Sequence, residues 1–254
     1  MFLKTRALVL REVKYKEADR ILTLLTEAEG KLTAKARGAL RKGSRFGAAT
    51  EALCWSELTL FGNRGRWSVN EAALLEPFLP LRQDIEKLAL GSYMAELLEA
   101  VSDVDRPDRE LLRFGLNSLF ALAADRYPQG HIRSVFELKL LCLSGFQPWV
   151  ESCAVCGKET PERPCFSPAG GTVHCLDCPP GAPGETIPLS GAVLRALRYV
   201  VAAPPERAYA FSMPAAAETA LGRVTEAFAA AQLERSFGTL DYWKTLRMNL
   251  HGSL

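Results

Sequence analysis

Lys31-Leu-Thr-Ala-Lys-Ala-Arg37 alternates apolar and polar side chains without a break. As a strand of period two, it places Leu32, Ala34 and Ala36 on one face and Lys31, Thr33, Lys35 and Arg37 on the other. One face can pack and the other is cationic. The run opens into Gly38-Ala-Leu-Arg-Lys-Gly-Ser-Arg-Phe-Gly47, a glycine-rich loop carrying Arg41, Lys42 and Arg45 that is expected to be mobile and exposed. Similar short runs, separated by turn residues, lie on either side of it: Thr5–Arg11, Arg20–Thr26, Glu51–Phe61 and Arg66–Ala72. Five such strands is the count of a small barrel of the OB-fold type.

Beyond Pro77 and Pro80 the period changes. Leu81, Ile85 and Leu88, then Met94, Leu97, Leu98 and Val101, recur at helical spacing, and Pro107 interrupts them. Asp108 to Tyr127 and His131 to Ser144 read as two further helices, parted by Pro128-Gln-Gly130. Residues 157–188 are rich in Pro and Gly and lack apolar periodicity, so they bury no core unaided. Helical spacing returns after Ser190, a plausible N-cap, in Gly191–Ala203, Ala215–Phe237 and Leu240–Leu250. The expected fold class is therefore α+β and multidomain: an OB-fold barrel over residues 1–79, then an all-α domain over 80–254 with a cysteine-bearing element, 149–182, inserted in it.

The net charge of +2 conceals an asymmetry. Residues 1–66 hold 14 Lys and Arg against 7 Asp and Glu, a surplus of +7, and the rest of the chain is at −5. A basic module joined to an ordinary globular part points to a polyanion, with nucleic acid first. Lys4, Arg6, Arg11 and Glu12 leave no apolar run for the central segment of a signal peptide, and no window suits a membrane span, so the expected location is the cytoplasm with no membrane partner.

Cys153-Ala-Val-Cys156 and Cys175-Leu-Asp-Cys178 are two C-x2-C pairs at the spacing of a zinc site. Each pair brings two thiolates to one ion from a tight turn. Four sulfurs leave no open position for water or substrate, so the expected cofactor is one structural Zn2+ held by Cys153, Cys156, Cys175 and Cys178. Two disulfides and a redox C-x-x-C are the competing readings, and Cys165 or His174 stands near enough to replace a ligand. Cys54 and Cys142 fit strand and helix patterns as buried thiols.

Catalytic patterns are missing from the sequence. No His-x-Glu or Cys-x-Glu precedes the C-x-x-C pairs as a zinc deaminase requires, no HExxH or G-x-S-x-G occurs, and Gly38 to Ser44 lacks the P-loop lysine. The expected chain is not an enzyme. Candidate phosphate contacts are Lys35 and Arg37 on the strand and Arg41, Lys42 and Arg45 on the loop, extended by Lys14, Lys16 and Arg20 on the first hairpin. A solvated charged face is the alternative. Phe46 interrupts the cationic loop where a base can stack, whereas Trp55 and Phe61 read as core. Arg195 and Arg198 lie beside Leu194, Leu197 and Val201 on one helix, a mixed surface suited to an acidic, hydrophobic peptide or to more DNA.

Three segments in order carry a resemblance: Ala7-Leu-Val-Leu-Arg-Glu-Val-Lys-Tyr-Lys-Glu-Ala-Asp19; Leu22-Thr-Leu-Leu-Thr-Glu27 with Gly30 to Gly38; and Leu143-Ser-Gly-Phe-Gln-Pro148 running into Cys153-Ala-Val-Cys156-Gly157. Together they make the chain resemble the bacterial recombination and DNA-repair mediator family RecO over essentially its whole length. The resemblance implies an N-terminal OB-fold, a helical domain with an inserted four-cysteine zinc element, binding to single- and double-stranded DNA, and strand annealing. It also implies action with RecR to help RecA displace single-strand-binding protein, contact with that protein's acidic C-terminal tail, and a place at the nucleoid. Two other classes compete: a zinc-containing protein-interaction adaptor without direct DNA binding, and a zinc hydrolase with an unrecognised site.

Overall fold

In a computed structural model, residues 1–179 and 181–252 are described, with only the backbone of His251. Pro180, within the expected zinc element, and Ser253 and Leu254, at the end of the expected helical domain, lie outside the described residues, as does the side chain of His251.

Strands β1 (Phe2–Tyr15), β2 (Asp19–Thr26), β3 (Gly30–Ala36), β4 (Trp55–Asn63) and β5 (Arg66–Glu76) form a closed barrel in the order β1-β2-β3-β5-β4. This is the OB-type barrel expected from the strand count. Its closure depends on β1, which pairs with β2 along one edge and β4 along the other and slips register between Val9 and Arg11. Such a bulge bends a long strand enough to serve both neighbours. The alternation expected of β3 is met, with Leu32, Ala34 and Ala36 buried beside Ala7, Val9, Leu22, Leu24, Leu58, Leu60 and Val69 in the barrel core. Leu8 and Leu10 are buried on the opposite face of β1, where α2 packs.

The helices are α1 (Leu79–Gln83), α2 (Ile85–Val101), α3 (Arg109–Ala123), α4 (Gln129–Leu143), α5 (Gly191–Ala202), α6 (Ala215–Leu233) and α7 (Gly238–His251). Asp84, Asp108 and Ser190 cap α2, α3 and α5 by accepting backbone N–H groups of the first turn. By packing the chain forms two compact units: Met1–Ala124 with Thr239–Trp243, and Asp125–Gly238 with the residues from Lys244 onward. In the first, the turn between β2 and β3 meets the segment after α2. Gly30, at φ +66°, would drive a Cβ to within 2.1 Å of the Arg106 carbonyl oxygen, and only glycine allows that approach.

In the second unit α4 packs against α5 and α6. Glu137, wholly buried, is held by Arg133 at 3.2 Å and by the Thr225 hydroxyl at 2.5 Å, and Arg133 also reaches Glu226 at 3.0 Å. Lys139 donates to the Val201 and Ala203 carbonyls, a cation at the negative end of α5. The insert in this unit contains strands β6 (Pro164–Ser167) and β7 (Thr172–Cys175), and β8 (Ile187–Pro188), beyond the expected bound at 182, completes its sheet in the order β7-β6-β8.

Candidate metal centre and nucleic-acid interface

The first C-x2-C pair lies on a turn built by its own backbone. The Cys153 N–H donates to the Lys158 carbonyl, the Gly157 N–H returns to the Cys153 carbonyl, and Gly157 takes φ +75° to let the chain double back. Ala154 N–H bonds the Val173 carbonyl, which ties this turn to β7, whose last residue, Cys175, begins the second pair. The Sγ atoms of Cys153, Cys156, Cys175 and Cys178 all lie within 4.8 Å of one another, and those of Cys156 and Cys175 are 3.8 Å apart. A thiolate–zinc bond of about 2.3 Å puts two sulfurs of a tetrahedron roughly 3.8 Å apart, so this donor set fits a metal ion, whereas a disulfide needs about 2.05 Å. All seven cysteines are free thiols.

The electrostatics favour a cation at the centre of the four sulfurs. Burial pushes the Cys153 thiol up, but N–H groups of Cys156, Cys175 and Val155 converge on its sulfur and hold it down at about 6. The Cys178 thiol is pushed up to about 12, by burial first and then by its bonds and charge contacts with Cys156 and Cys153. A thiolate on one sulfur thus makes its neighbours harder to ionise, and a metal ion reverses that order. Cys165 and His174 stand outside the group as a cross-strand pair: the Cys165 thiol turns to the Arg163 carbonyl at 3.7 Å, and His174 Nδ1 donates to the Cys175 carbonyl at 2.9 Å. Cys54 and Cys142 are also apart from it, and burial raises the thiol of Cys142 to about 11.

Arg198 on α5 is part of this centre's support. Its guanidinium donates to the carbonyls of Val150, Glu151 and Glu159 at 2.8, 2.6 and 2.7 Å, so it clamps the chain on both sides of the first cysteine pair. This differs from the expectation that it faces a partner, for its Nε and Nη2 are already engaged within the chain. Arg195, one turn away, is exposed.

The barrel sorts the eight cations expected on its surface into free and committed groups. Lys14, Lys16, Arg37, Arg41, Lys42 and Arg45 are exposed, and among the described residues no carboxylate lies within 4.0 Å of any of them. Lys35 is committed: it pairs with Asp19 at 2.8 Å and lies over the Tyr15 ring at 4.7 Å. Its hydrogen bond, with that of the Gly38 N–H, holds the Asp19 carboxyl below its usual range. Arg20 does not join the cationic surface. Its side chain is 13% exposed, it pairs with Glu12 at 3.0 Å and Glu51 at 3.8 Å, and it donates to the Thr50 hydroxyl. The alternation of β2 alone does not reveal that cluster, because its acids come from β1 and from the segment before β4.

The glycine-rich loop is pinned where it was expected to be free. Asp19 accepts the Gly38 N–H, the Leu40 N–H bonds the Ala18 carbonyl, and Ala39 and Phe46 are tucked into the barrel core. Phe46 is therefore a plug and leaves no face for a base, while Arg45 lies over its ring at 5.1 Å. The aromatic roles are reversed: Phe61, expected in the core, is exposed and meets exposed Phe2 with ring centroids 5.1 Å apart. Tyr15, at the tip of the β1–β2 hairpin among Lys14, Lys16 and Lys35, is a further exposed ring. Its place in a lysine-rich turn was the available signal.

Comparison with known proteins covers the chain almost end to end. The family "Recombination protein O N terminal" matches residues 1–78, and "Recombination protein O C terminal" matches residues 82–241. The chain is 34% identical to a "DNA repair protein RecO" of Acetivibrio thermocellus, over 96% of this chain and 97% of that one. It is also 34% identical to the protein so called in Desulforudis audaxviator, over 96% of each chain, and 31% identical to that of Caldanaerobacter subterraneus, over 95% of this chain and 97% of that one.

Proposed function

Since the chain belongs to the RecO family of DNA repair proteins, we propose that it is a non-catalytic DNA-binding mediator of recombination. It binds single- and double-stranded DNA through the exposed cations of the barrel and anneals complementary strands. With RecR it helps load RecA onto DNA coated by single-strand-binding protein, whose acidic tail it contacts. It works in the cytoplasm at the nucleoid. Among the described residues no helix is long and apolar enough to cross a membrane.

The observation that carries this reading is the set of unneutralised cations, Arg37 just after the end of β3 and Arg41, Lys42 and Arg45 on a loop whose backbone is pinned. A fixed array of free cations releases counterions from a polyanion and so gains affinity that falls with salt. Zn2+ is the ion proposed for Cys153, Cys156, Cys175 and Cys178, because four thiolates in a closed shell suit its softness and tetrahedral preference. Bound there it supplies fold, with no position left for chemistry.

Titration of a fluorescent single-stranded oligonucleotide at several salt concentrations tests the reading. With about five or six phosphates neutralised, the slope of log K against log salt is expected near −3.5 to −4.2, and Arg37→Ala/Arg41→Ala/Lys42→Ala is expected to flatten it by about 2. An unchanged slope moves the DNA off this face. No binding at all favours the adaptor reading, to which the exposed Val155 and Leu176 inside the two cysteine pairs lend an apolar surface.

A further inference from the structure

The outward row of the barrel that contains Lys35 does not stop at β3. Lys35 is the register partner of Ser68 on β5, Ser68 of Phe61 on β4, and Phe61 of Phe2 on β1. Residues directly opposite one another share a face, so these four side chains form one continuous row around the outside. With strands about 4.8 Å apart, the row runs roughly 14 Å from Lys35 to Phe2. Its far end is aromatic. Phe2 is 65% exposed and Phe61 38%, and their rings meet tilted by 54° rather than stacked on one another.

Charge near this pair favours an anion. Arg66 is two residues before Ser68 and so on the same face, and Arg64 stands at the β4–β5 turn; both are exposed, and among the described residues neither has a carboxylate within 4.0 Å. Of the acids further along this face, Glu71, one row on, accepts from the Thr59 hydroxyl at 3.2 Å and keeps its charge, and Glu57, two rows on, is paired with Lys4 at 2.9 Å, so the two guanidiniums outnumber the unpaired carboxylate. A pair of exposed rings with two unpaired guanidiniums nearby suits a single-stranded nucleic acid: apolar flat bases on a charged backbone.

We propose that Phe2 and Phe61, with Arg64 and Arg66 beside them, are a stacking site for unpaired bases that extends the strand's path across the outside of the barrel. The proposal rests on the DNA-binding reading and adds a discrimination to it. Bases inside a duplex already have both faces covered, so the rings engage only a strand that is unpaired. The row accommodates about four stacked nucleotides at ~3.4 Å each, which is within the span of a single barrel of this type.

The test compares the full-length, metal-loaded protein with Phe2→Ala/Phe61→Ala, Phe61→Leu and Phe61→Trp, using a fluorescent oligo-dT and a hairpin duplex at several salt concentrations. Both rings are exposed, so equal melting temperatures are expected, and Phe61→Leu keeps the apolar bulk if the alanines disturb β4. The double alanine variant is expected to lose on the order of tenfold in oligo-dT affinity. Its salt slope and its hairpin affinity should not change, Phe61→Leu should lose in the same direction, and Phe61→Trp should bind as wild type with its indole emission quenched by oligo-dT. Undiminished oligo-dT binding by the alanine variant overturns the stacking site alone, as does equal loss on the two DNA forms. Failure of the wild type to bind oligo-dT overturns both this and the reading on which it rests.

Discussion

The barrel and the cysteine insert reach order by opposite means. The barrel closes on ten buried side chains from all five strands, the apolar half of a period-two pattern, with Ala39 and Phe46 added from the loop after β3, and the surface left over is what carries its cations. The insert has three strands of two to four residues, and its two C-x2-C turns are joined by four sulfurs, a few backbone bonds to β7 and the clamp of Arg198. Where apolar burial is plentiful, polar residues are released for binding; where it is scarce, they are spent on holding the chain.

Metal removal tests that contrast most strongly. Binding free energies on the order of 10 kcal/mol or more are typical of small thiolate sites, so Cys156→Ser or a chelator is expected to unfold the insert. Hydrogen exchange should show residues 149–179 losing protection while β1 to β5 keep theirs. Unchanged protection around Cys153 and Cys175 would mean that the insert holds without metal, and the contrast would collapse.

A smaller effect separates the clamp from the ligands. Arg198→Ala leaves every thiol in place but frees the Val150, Glu151 and Glu159 carbonyls, and a hydrogen bond to a charged group contributes about 1.5–3 kcal/mol. Faster loss of the bound metal, zinc under the proposal, to a colorimetric chelator is expected from Arg198→Ala. Arg198→Lys should restore little, since an ammonium cannot reproduce the planar fork. If zinc leaves the variant at the wild-type rate, the thiols and their own backbone suffice.

The same contrast explains what was legible in the sequence. Strand β3, the helices and the four-cysteine cluster could be read because each obeys a local rule: alternation, 3.6-residue recurrence or C-x2-C spacing. Phe46, Phe61, Arg20 and Arg198 escaped because their roles depend on what the fold brings alongside them. Phe46 is followed by a turn that swings it into the barrel, and Phe61, outward by alternation with buried Leu58 and Leu60, has exposed Phe2 of β1 as its register partner. Arg20 meets Glu12 across the β1–β2 ladder and Glu51 from a distant loop, and Arg198 finds its carbonyls nearly 40 to 50 residues away. Local pattern tells which face a residue takes; it does not tell whether a charge on that face is already paired.

Asp19 is where the barrel itself mixes the two uses of polar groups, and the smallest expected effect lies there. Its carboxylate holds Lys35 at 2.8 Å and accepts the Gly38 N–H at the base of the cationic loop. Because its folded pKa lies below the usual value of about 3.8, its contribution to stability is complete above that pH and is lost as pH falls through the folded pKa. Asp19→Asn keeps an oxygen for Gly38 but gives up the ion pair, so a slight fall in melting temperature is expected at pH 7, vanishing in acid. The same change frees Lys35 for phosphate. The salt slope on single-stranded DNA should therefore steepen by about 0.7, one phosphate's worth, and affinity at low salt should rise. Stability and binding moving in opposite directions would show that Asp19 spends Lys35 on the fold; a drop in both would mean that Asp19 shapes the loop and that the ordered loop, not the free charge, is what DNA recognises.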